Sequence, residues 1–170
     1  MLTRKYSLTM NVQIRPAKYE EMNAVNQMHV QSIRDLCSKD YRPEQIAAWS
    51  AVVYKEKNWH KSINEDFYRV LEIDGEIHGF CHATLHPDQS GEILGLYVSK
   101  NARGKGLGEK IFNKALEYLL SKNPSKLVIS STKTAKDFYQ RMGFSVVGEM
   151  QTHDIRGVGI ECFCMEKVLV

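Results

Sequence analysis

Glu92-Ile-Leu-Gly-Leu-Tyr-Val98-Ser-Lys-Asn-Ala-Arg103-Gly-Lys-Gly-Leu-Gly108 opens a stretch that runs on to Leu120. Ile93 to Val98 is a short, nearly continuous apolar run, the pattern of a strand buried on both faces. From Leu107 onward, Ile111, Phe112, Ala115, Leu116, Leu119 and Leu120 recur at helical spacing, with Glu109, Lys110, Asn113, Lys114 and Glu117 opposite them. The order is therefore strand, basic glycine loop, helix. Gly104, Gly106 and Gly108 let the backbone approach a ligand closely. The first N–H groups of the helix lack internal partners, and its dipole adds positive charge there, which makes a phosphate site. Arg103 and Lys105 add formal charge at the same place. The alternative is a capped surface turn in which the glycines are merely permissive. Neither Gly-x-Gly-x-x-Gly nor the P-loop pattern is spelled here.

Working outward, Arg103-Gly-Lys-Gly106-Leu-Gly108 resembles the Gln/Arg-x-x-Gly-x-Gly/Ala acetyl-coenzyme A motif of the GNAT superfamily of N-acetyltransferases. Ala135-Lys-Asp-Phe138-Tyr139-Gln-Arg-Met-Gly143-Phe144 resembles that family's Ala-x-x-Phe-Tyr-x-x-x-Gly-Phe helix. The two segments stand in the family's order, and the resemblance runs from about Val12 to Lys167, weakest before Phe67. It implies an α/β (α+β) fold: a mixed, strongly twisted sheet of six or seven strands with helices on both faces. It also implies that the strands at Glu92–Val98 and Lys126–Ser130 splay apart. Acetyl-coenzyme A would enter between them, its pyrophosphate over Arg103, Gly104, Lys105, Gly106, Leu107 and Gly108, its pantetheine along Leu96, Tyr97 and Val98.

The chemistry implied is acetyl transfer to a primary amine by direct attack in a ternary complex. An alkylamine, with a pKa near ~10.4, arrives protonated and needs a base, whereas a thiolate, its thiol near ~8.5, leaves with less help. Tyr139 matches the family's tyrosine that faces the thioester sulfur and is the candidate acid, and Phe138 packs beside it at the cofactor site. Glu92 is the candidate base, against the plain reading of a strand-end carboxylate. His82 and His86 are alternatives, and His153 is a weaker one. Many family members carry asparagine where Thr132 stands, so the hydroxyl of Thr132 or Ser131 is left to bond the cofactor. No residues have metal-ligand spacing. A non-catalytic acetyl-coenzyme A sensor and a nucleotide-phosphate binder are the rival classes, and Tyr139 argues against the sensor.

The 170 residues are 43% hydrophobic, enough for one core. A single domain is expected over residues 12–170, with 1–11 as an extension and Met10 as an alternative start. No apolar run reaches membrane-span length, and the first residues lack the apolar core of a secretory signal. Cys37, Cys81, Cys162 and Cys164 have no zinc-type spacing and read as free thiols, which fits a cytoplasmic location. A net charge of +3, with no basic run, does not call for nucleic acid. The partner expected is a small-molecule or protein amine, and monomer and homodimer are both open.

In chain order the pattern predicts a strand at Val12–Arg15 and a helix over Tyr19–Leu36. A second helix is expected from Pro43 through Tyr54, with Trp49 in its apolar stripe. Trp59 and His60 fall in a connector and receive no role. Phe67–Ile73 and Glu76–Leu85 form a hairpin around Asp74-Gly75, a type I′ signal. A strand at Lys126–Ser130, a helix capped by Ser131 or Thr132 and ended by Gly143, and strands at Val146-Val147 and Ile160–Val168 complete the chain. Gln151–Gly159 reads as a turn or flexible loop. The acceptor pocket is assigned to the regions Tyr19–His60 and Gln151–Gly159.

Overall fold

The computed structural model describes residues 10–51 and 56–169. Most of the expected N-terminal extension, with Val53 and Tyr54 of the second helix, lies outside them.

Eight strands form one mixed sheet. They are β1 (Val12–Pro16), β2 (Phe67–Ile73), β3 (Glu76–Leu85), β4 (Ser90–Val98), β5 (Lys126–Thr132), β6 (Ser145–Val146), β7 (Gln151–Ile155) and β8 (Val158–Val168). The order is β1-β2-β3-β4-β5-β8-β6, with β7 also paired to β8. All neighbours are antiparallel except β4 and β5, which run parallel. A parallel pair needs a crossover, and α4 (Leu107–Leu120) supplies it. The β2–β3 hairpin turns at Asp74 and Gly75, with φ of 51° and 87°, the two positive values that type I′ requires.

Helices cover both faces. The stripe of α4 buries Ile111, Phe112, Ala115 and Leu119 against Leu71, Cys81, Ala83, Ile93, Leu127 and Ile129 of the sheet. Tyr139 on α5 (Lys136–Arg141) and Phe144 join that core. On the opposite face, α1 (Met22–Ser32) places Met22 and Val25 on Tyr68, Val70 and Phe80. A third cluster joins Ile33, Cys37, Tyr41 and Trp49 to Ile160. All four cysteines are free thiols.

Four sequence expectations change. The helix over Tyr19–Leu36 is divided into a 3₁₀ turn (Tyr19–Glu21), α1 and a π turn (Ile33–Cys37). The second helix, α2, is Pro43–Trp49 and ends before residue 54. Trp59 and His60 lie on a helix, α3 (Glu56–Glu65), rather than a connector. Among its described side chains Trp59 and Ile63 pack into the core, too thin a stripe to announce a helix among Lys, Asn and Glu. Gln151–Gly159 is not a loop: β7 pairs with the start of β8 around Arg156-Gly157, at φ 56° and 80°. Because β7 is exposed over almost its whole length, it lacks the apolar alternation that marks a strand. It also brings the sheet to eight strands.

A polar network ties the α2 region to β8 and to the loop before α5. The Tyr41 hydroxyl accepts from the Lys133 backbone N–H at 2.8 Å and donates to the Glu161 carbonyl at 2.7 Å. Buried Gln45 donates to the Gly159 carbonyl and to Glu161 Oε2, at 2.7 and 2.8 Å. Hydrogen bonds from Gln45 and Lys133 pull the Glu161 carboxyl down to about 2.

Tyr41→Phe leaves both backbone groups without this partner and should cost about 1–3 kcal/mol in a urea denaturation series. A second prediction concerns His29, which is 5% exposed and packed on Tyr97 at 4.0 Å. Burial pulls its imidazole from 6.5 down to about 4. The unfolded chain therefore takes up a proton that the folded chain refuses as pH falls from 6.5 to about 4. Stability present above that window should be lost across it, by at most about 3 kcal/mol from this residue. Thermal melts of His29→Phe should show a flatter decline over the same pH range.

Candidate active site

The pairing of β4 with β5 ends at Ile93↔Ile129. Beyond that point β5 pairs only with β8, and β4 continues to Val98 on β3 alone. The strands part, and a cleft of about 360 Å³ opens between them. Leu96, Tyr97 and Val98 line one wall, and Thr132, Phe138 and Tyr139 line the other. Arg103, Gly104, Gly106, Leu107 and Gly108 lie along the same cleft.

The glycine loop is built for close approach. Gly104 and Gly106 have φ of 73° and 70°, and a Cβ added at either would meet no atom within 4 Å. Lys110 is the first residue of α4 whose N–H bonds back, to the Gly106 carbonyl at 3.1 Å. The N–H groups of Leu107, Gly108 and Glu109 precede it, in the turn that a helix leaves without internal partners. Lys105 does not line the cleft; its ammonium lies 3.8 Å from Met10 Sδ. Ser131 also sits outside, buried with its hydroxyl on the Thr132 carbonyl. Thr132 Oγ1 accepts from the Ala135 N–H at 3.1 Å in the turn that precedes α5, whose own N-cap is Ala135 rather than the expected Ser131 or Thr132.

Tyr139 reaches the cleft from a largely buried position, 5% exposed, packed against Phe112, Phe138 and Phe144. Burial pushes its phenol up, and proximity to Cys81 adds to this. The group thus holds its proton at neutral pH. Glu92 lines neither this cleft nor the cavity described next. Its Oε2 lies 2.5 Å from His86 Nε2.

On the other side of β4 lies a second cavity of about 290 Å³. A bulge leads to it: His82 pairs with Gly95 and Ala83 with Ile93, so Leu94 is an extra residue. Leu94, Gly95 and Tyr97 line both cavities. His82 stands in the second one. Its Nε2 is 2.7 Å from Asp66 Oδ2, and Asp66 Oδ1 accepts from Thr84 at 2.6 Å. A carboxylate accepts, so Nε2 carries the hydrogen and Nδ1 keeps the basic lone pair. Burial lowers the imidazole pKa, with Asp66 opposing in part, so the ring is neutral at pH 7.

Sequence reasoning did not single out Asp66, Asn26, His29, Trp59 or Gly95; Asn26, His29 and Trp59 fall in the Tyr19–His60 region assigned to the acceptor pocket, whereas no residue of Gln151–Gly159 lines this cavity. Two of them carried a signal: a polar His29 on the apolar stripe of α1, and a glycine inside a strand, which marks a bulge. His153, the weaker alternative, lies outside both cavities, with Nε2 3.2 Å from Ser130 Oγ. Among the described residues no helix is long and apolar enough to cross a membrane.

The chain matches the model of the acetyltransferase (GNAT) domain over residues 37–169. It is 27% identical over 158 residues to the uncharacterized N-acetyltransferase YafP of Escherichia coli, covering 91% of this chain and 95% of that one. It is 25% identical over 150 residues to an uncharacterized N-acetyltransferase of Methanocaldococcus jannaschii, covering 82% of this chain but only 63% of that longer protein. Among solved structures, the PaiA N-acetyltransferase of Thermoplasma acidophilum, in complex with coenzyme A, superimposes with a TM-score of 0.75 at 18% identity. That match covers 94% of this chain and 99% of the other, and shares the fold. The parted β4 and β5, the glycine loop at the start of α4 and the match over residues 37–169 agree, and the chain belongs to the GNAT acetyltransferase family.

Proposed function

We propose that the protein moves an acetyl group from acetyl-coenzyme A to a primary amine, with both held at once on opposite sides of β4. The observation that carries this reading is the pair of cavities that share Leu94, Gly95 and Tyr97 as a common wall. A donor in one and an acceptor in the other meet without a covalent enzyme intermediate, and proximity supplies much of the rate.

The residues present fit the donor. The open space at Gly104 and Gly106, the first N–H groups of α4 and Arg103 suit a pyrophosphate. The edge of β4 from Leu96 to Val98, unpaired toward β5, offers backbone groups to an extended amide-bearing arm. Acetyl-coenzyme A supplies an activated acetyl carbon and a thiolate leaving group. The Tyr139 phenol donates a proton or hydrogen bond where that sulfur leaves. His82, oriented by Asp66, takes the amine's proton at Nδ1. Its place in the acceptor cavity favours it over Glu92, which is engaged with His86.

The direct test is thiol release from acetyl-coenzyme A across an amine panel, with calorimetry on coenzyme A. Binding without any thiol release would leave a sensor in place of an enzyme. Gly108→Val should weaken coenzyme A binding about tenfold or more, the equivalent of one charge-assisted hydrogen bond. Its Cβ meets only Val98 Cγ2 at 3.5 Å, so the melting temperature should scarcely change. Wild-type affinity in this variant would remove the phosphate assignment.

Tyr139→Phe should lower kcat toward the lower end of the ~10²–10⁴-fold range of positioned acids, with coenzyme A affinity kept. His82→Gln should lose activity near neutral pH and recover it at alkaline pH, where the amine is already neutral. Because burial lowers the His82 pKa, the acid limb of kcat/KM should fall below ~6.5, the ordinary imidazole value. If Glu92→Gln shows the alkaline recovery and His82→Gln does not, the base is Glu92.

A further inference from the structure

The acceptor cavity is lined by aromatic, aliphatic and polar side chains, with no Asp, Glu, Lys or Arg among the described lining residues. Phe80, Tyr97, Tyr68 and Trp59 face it with aromatic rings, and Met22 and Val25 close its floor from α1. Tyr68 and Phe80 lie parallel at 5.5 Å, Phe80 and Tyr97 at 5.6 Å, so the rings form a continuous bank. The titratable side chains among the described lining residues that bear on charge are His29 and His82. Burial lowers the pKa of both, so neither brings a positive charge at neutral pH.

Asn26, His29, Ser62 and His82 are polar side chains on the cavity's lining. Asn26 Oδ1 is buried and has no hydrogen-bond partner. A buried acceptor left unpaired costs free energy that a ligand donor would recover. An amine is such a donor: it has N–H groups for Oδ1 and a proton for His82. The remaining walls then select what the amine is attached to. A free carboxylate on the acceptor would be desolvated here with no Arg or Lys among the described lining residues to pair it. A second ammonium, as in a polyamine, would find no carboxylate there. A cavity of about 290 Å³ is at the small end for ligand sites and suits a small acceptor better than a length of peptide.

We propose that the acceptor is a small arylalkylamine: one aromatic ring held among Phe80, Tyr97 and Trp59, and one primary amine at Asn26 Oδ1 and His82. The ring stacks edge or face on the aromatic bank, while a short alkyl link carries the nitrogen to Gly95, where the cavity meets the donor cleft. This assignment rests on the acetyl-transfer reading above. In the reaction the amine nitrogen bonds to the acetyl carbon, the carbon–sulfur bond breaks, the amine's proton passes to His82 and the thiolate leaves protonated from Tyr139 or solvent.

The test uses the full chain in a thiol-release assay at saturating acetyl-coenzyme A. The acceptors are phenethylamine, aspartate, spermidine and a peptide with an N-terminal alanine, with calorimetry on coenzyme A in parallel. The expected result is a kcat/KM for phenethylamine about tenfold or more above each of the others, the worth of one desolvated charge that goes unpaired. Asn26→Ala should raise the KM for phenethylamine about tenfold while coenzyme A affinity stays constant. Asn26→Asp, which keeps an oxygen acceptor, should restore KM. Coenzyme A binding with best turnover of aspartate, spermidine or the peptide overturns the arylalkylamine class and leaves acetyl transfer standing. Thiol release from none of the four, with coenzyme A bound, overturns the class and points to the sensor. Equal KM increases in Asn26→Ala and Asn26→Asp overturn the role of Oδ1. Absence of coenzyme A binding removes the donor reading beneath the proposal.

Discussion

The bulge at Leu94 governs how this molecule is put together. A β-strand alternates its side chains strictly, so one extra residue reverses which face each later residue meets. Before the bulge, Ile93 faces the core under α4; after it, Gly95 faces Phe80 and Leu96 returns to the α4 side. The same irregularity adds twist, and the parallel pairing with β5 stops at the residue before it. One inserted residue thus coincides with an opening on the β5 side and a recess on the α1 side. Gly95 suits the junction because a Cβ there would press on Phe80 Cε2 at 3.2 Å. The backbone in this segment is then the thin wall that the two cavities share.

Burial sets the protonation states around that partition, and it acts in opposite senses on acid and base. Desolvation disfavours the charged form, so it raises a phenol and lowers an imidazole. Tyr139 is pushed up and keeps its proton, whereas His29 and His82 are pushed down and shed theirs. A protonated phenol in one cavity and a neutral imidazole in the other follow from one cause. Asp66 counters part of the effect at His82 and fixes its tautomer, so the lone pair is kept at Nδ1. The cleft is better charged at its mouth, where Arg103 and the first turn of α4 stand.

Rigidity on the far wall comes from the network around Tyr41, Gln45 and Glu161. These groups bridge residues more than ninety positions apart in sequence, from the α2 region to β8 and the loop that starts α5. Thr134, in that loop, bonds Asp40 at 2.7 Å and also lines the donor cleft. The π turn at Ile33–Cys37 places Leu36 and Cys37 along the same cleft. Such widened turns commonly occur at functional sites. The loop before α5 is therefore tied by part-buried hydrogen bonds, whereas α4 and α5 themselves are held by apolar packing.

Local chemistry made much of this legible before any coordinates. The spacing of Leu107, Ile111, Phe112, Ala115 and Leu119 is a helix wherever it is placed, because those residues share one face at 3.6 per turn. Asp74-Gly75 specifies a tight hairpin because its backbone angles suit few other pairs. Gly104 and Gly106 before that helix and Gly108 in its first turn suggest an anion site for reasons internal to the segment. The reading of Tyr139 rests instead on the resemblance of Ala135–Phe144 to the family's helix. What the chain alone did not reveal depends on partners distant in sequence. The exposed β7 and the thinly apolar α3 exist through pairing and packing with β8 and β2, not through their own patterns. The meeting of Asn26, His82 and Trp59 across the recess beside Gly95 joins three segments of the chain, and Asp66 becomes a partner of His82 only when β3 is laid down beside it. Periodicity reports which face a residue occupies; only the folded sheet, with its bulge, decides which residues that face brings together.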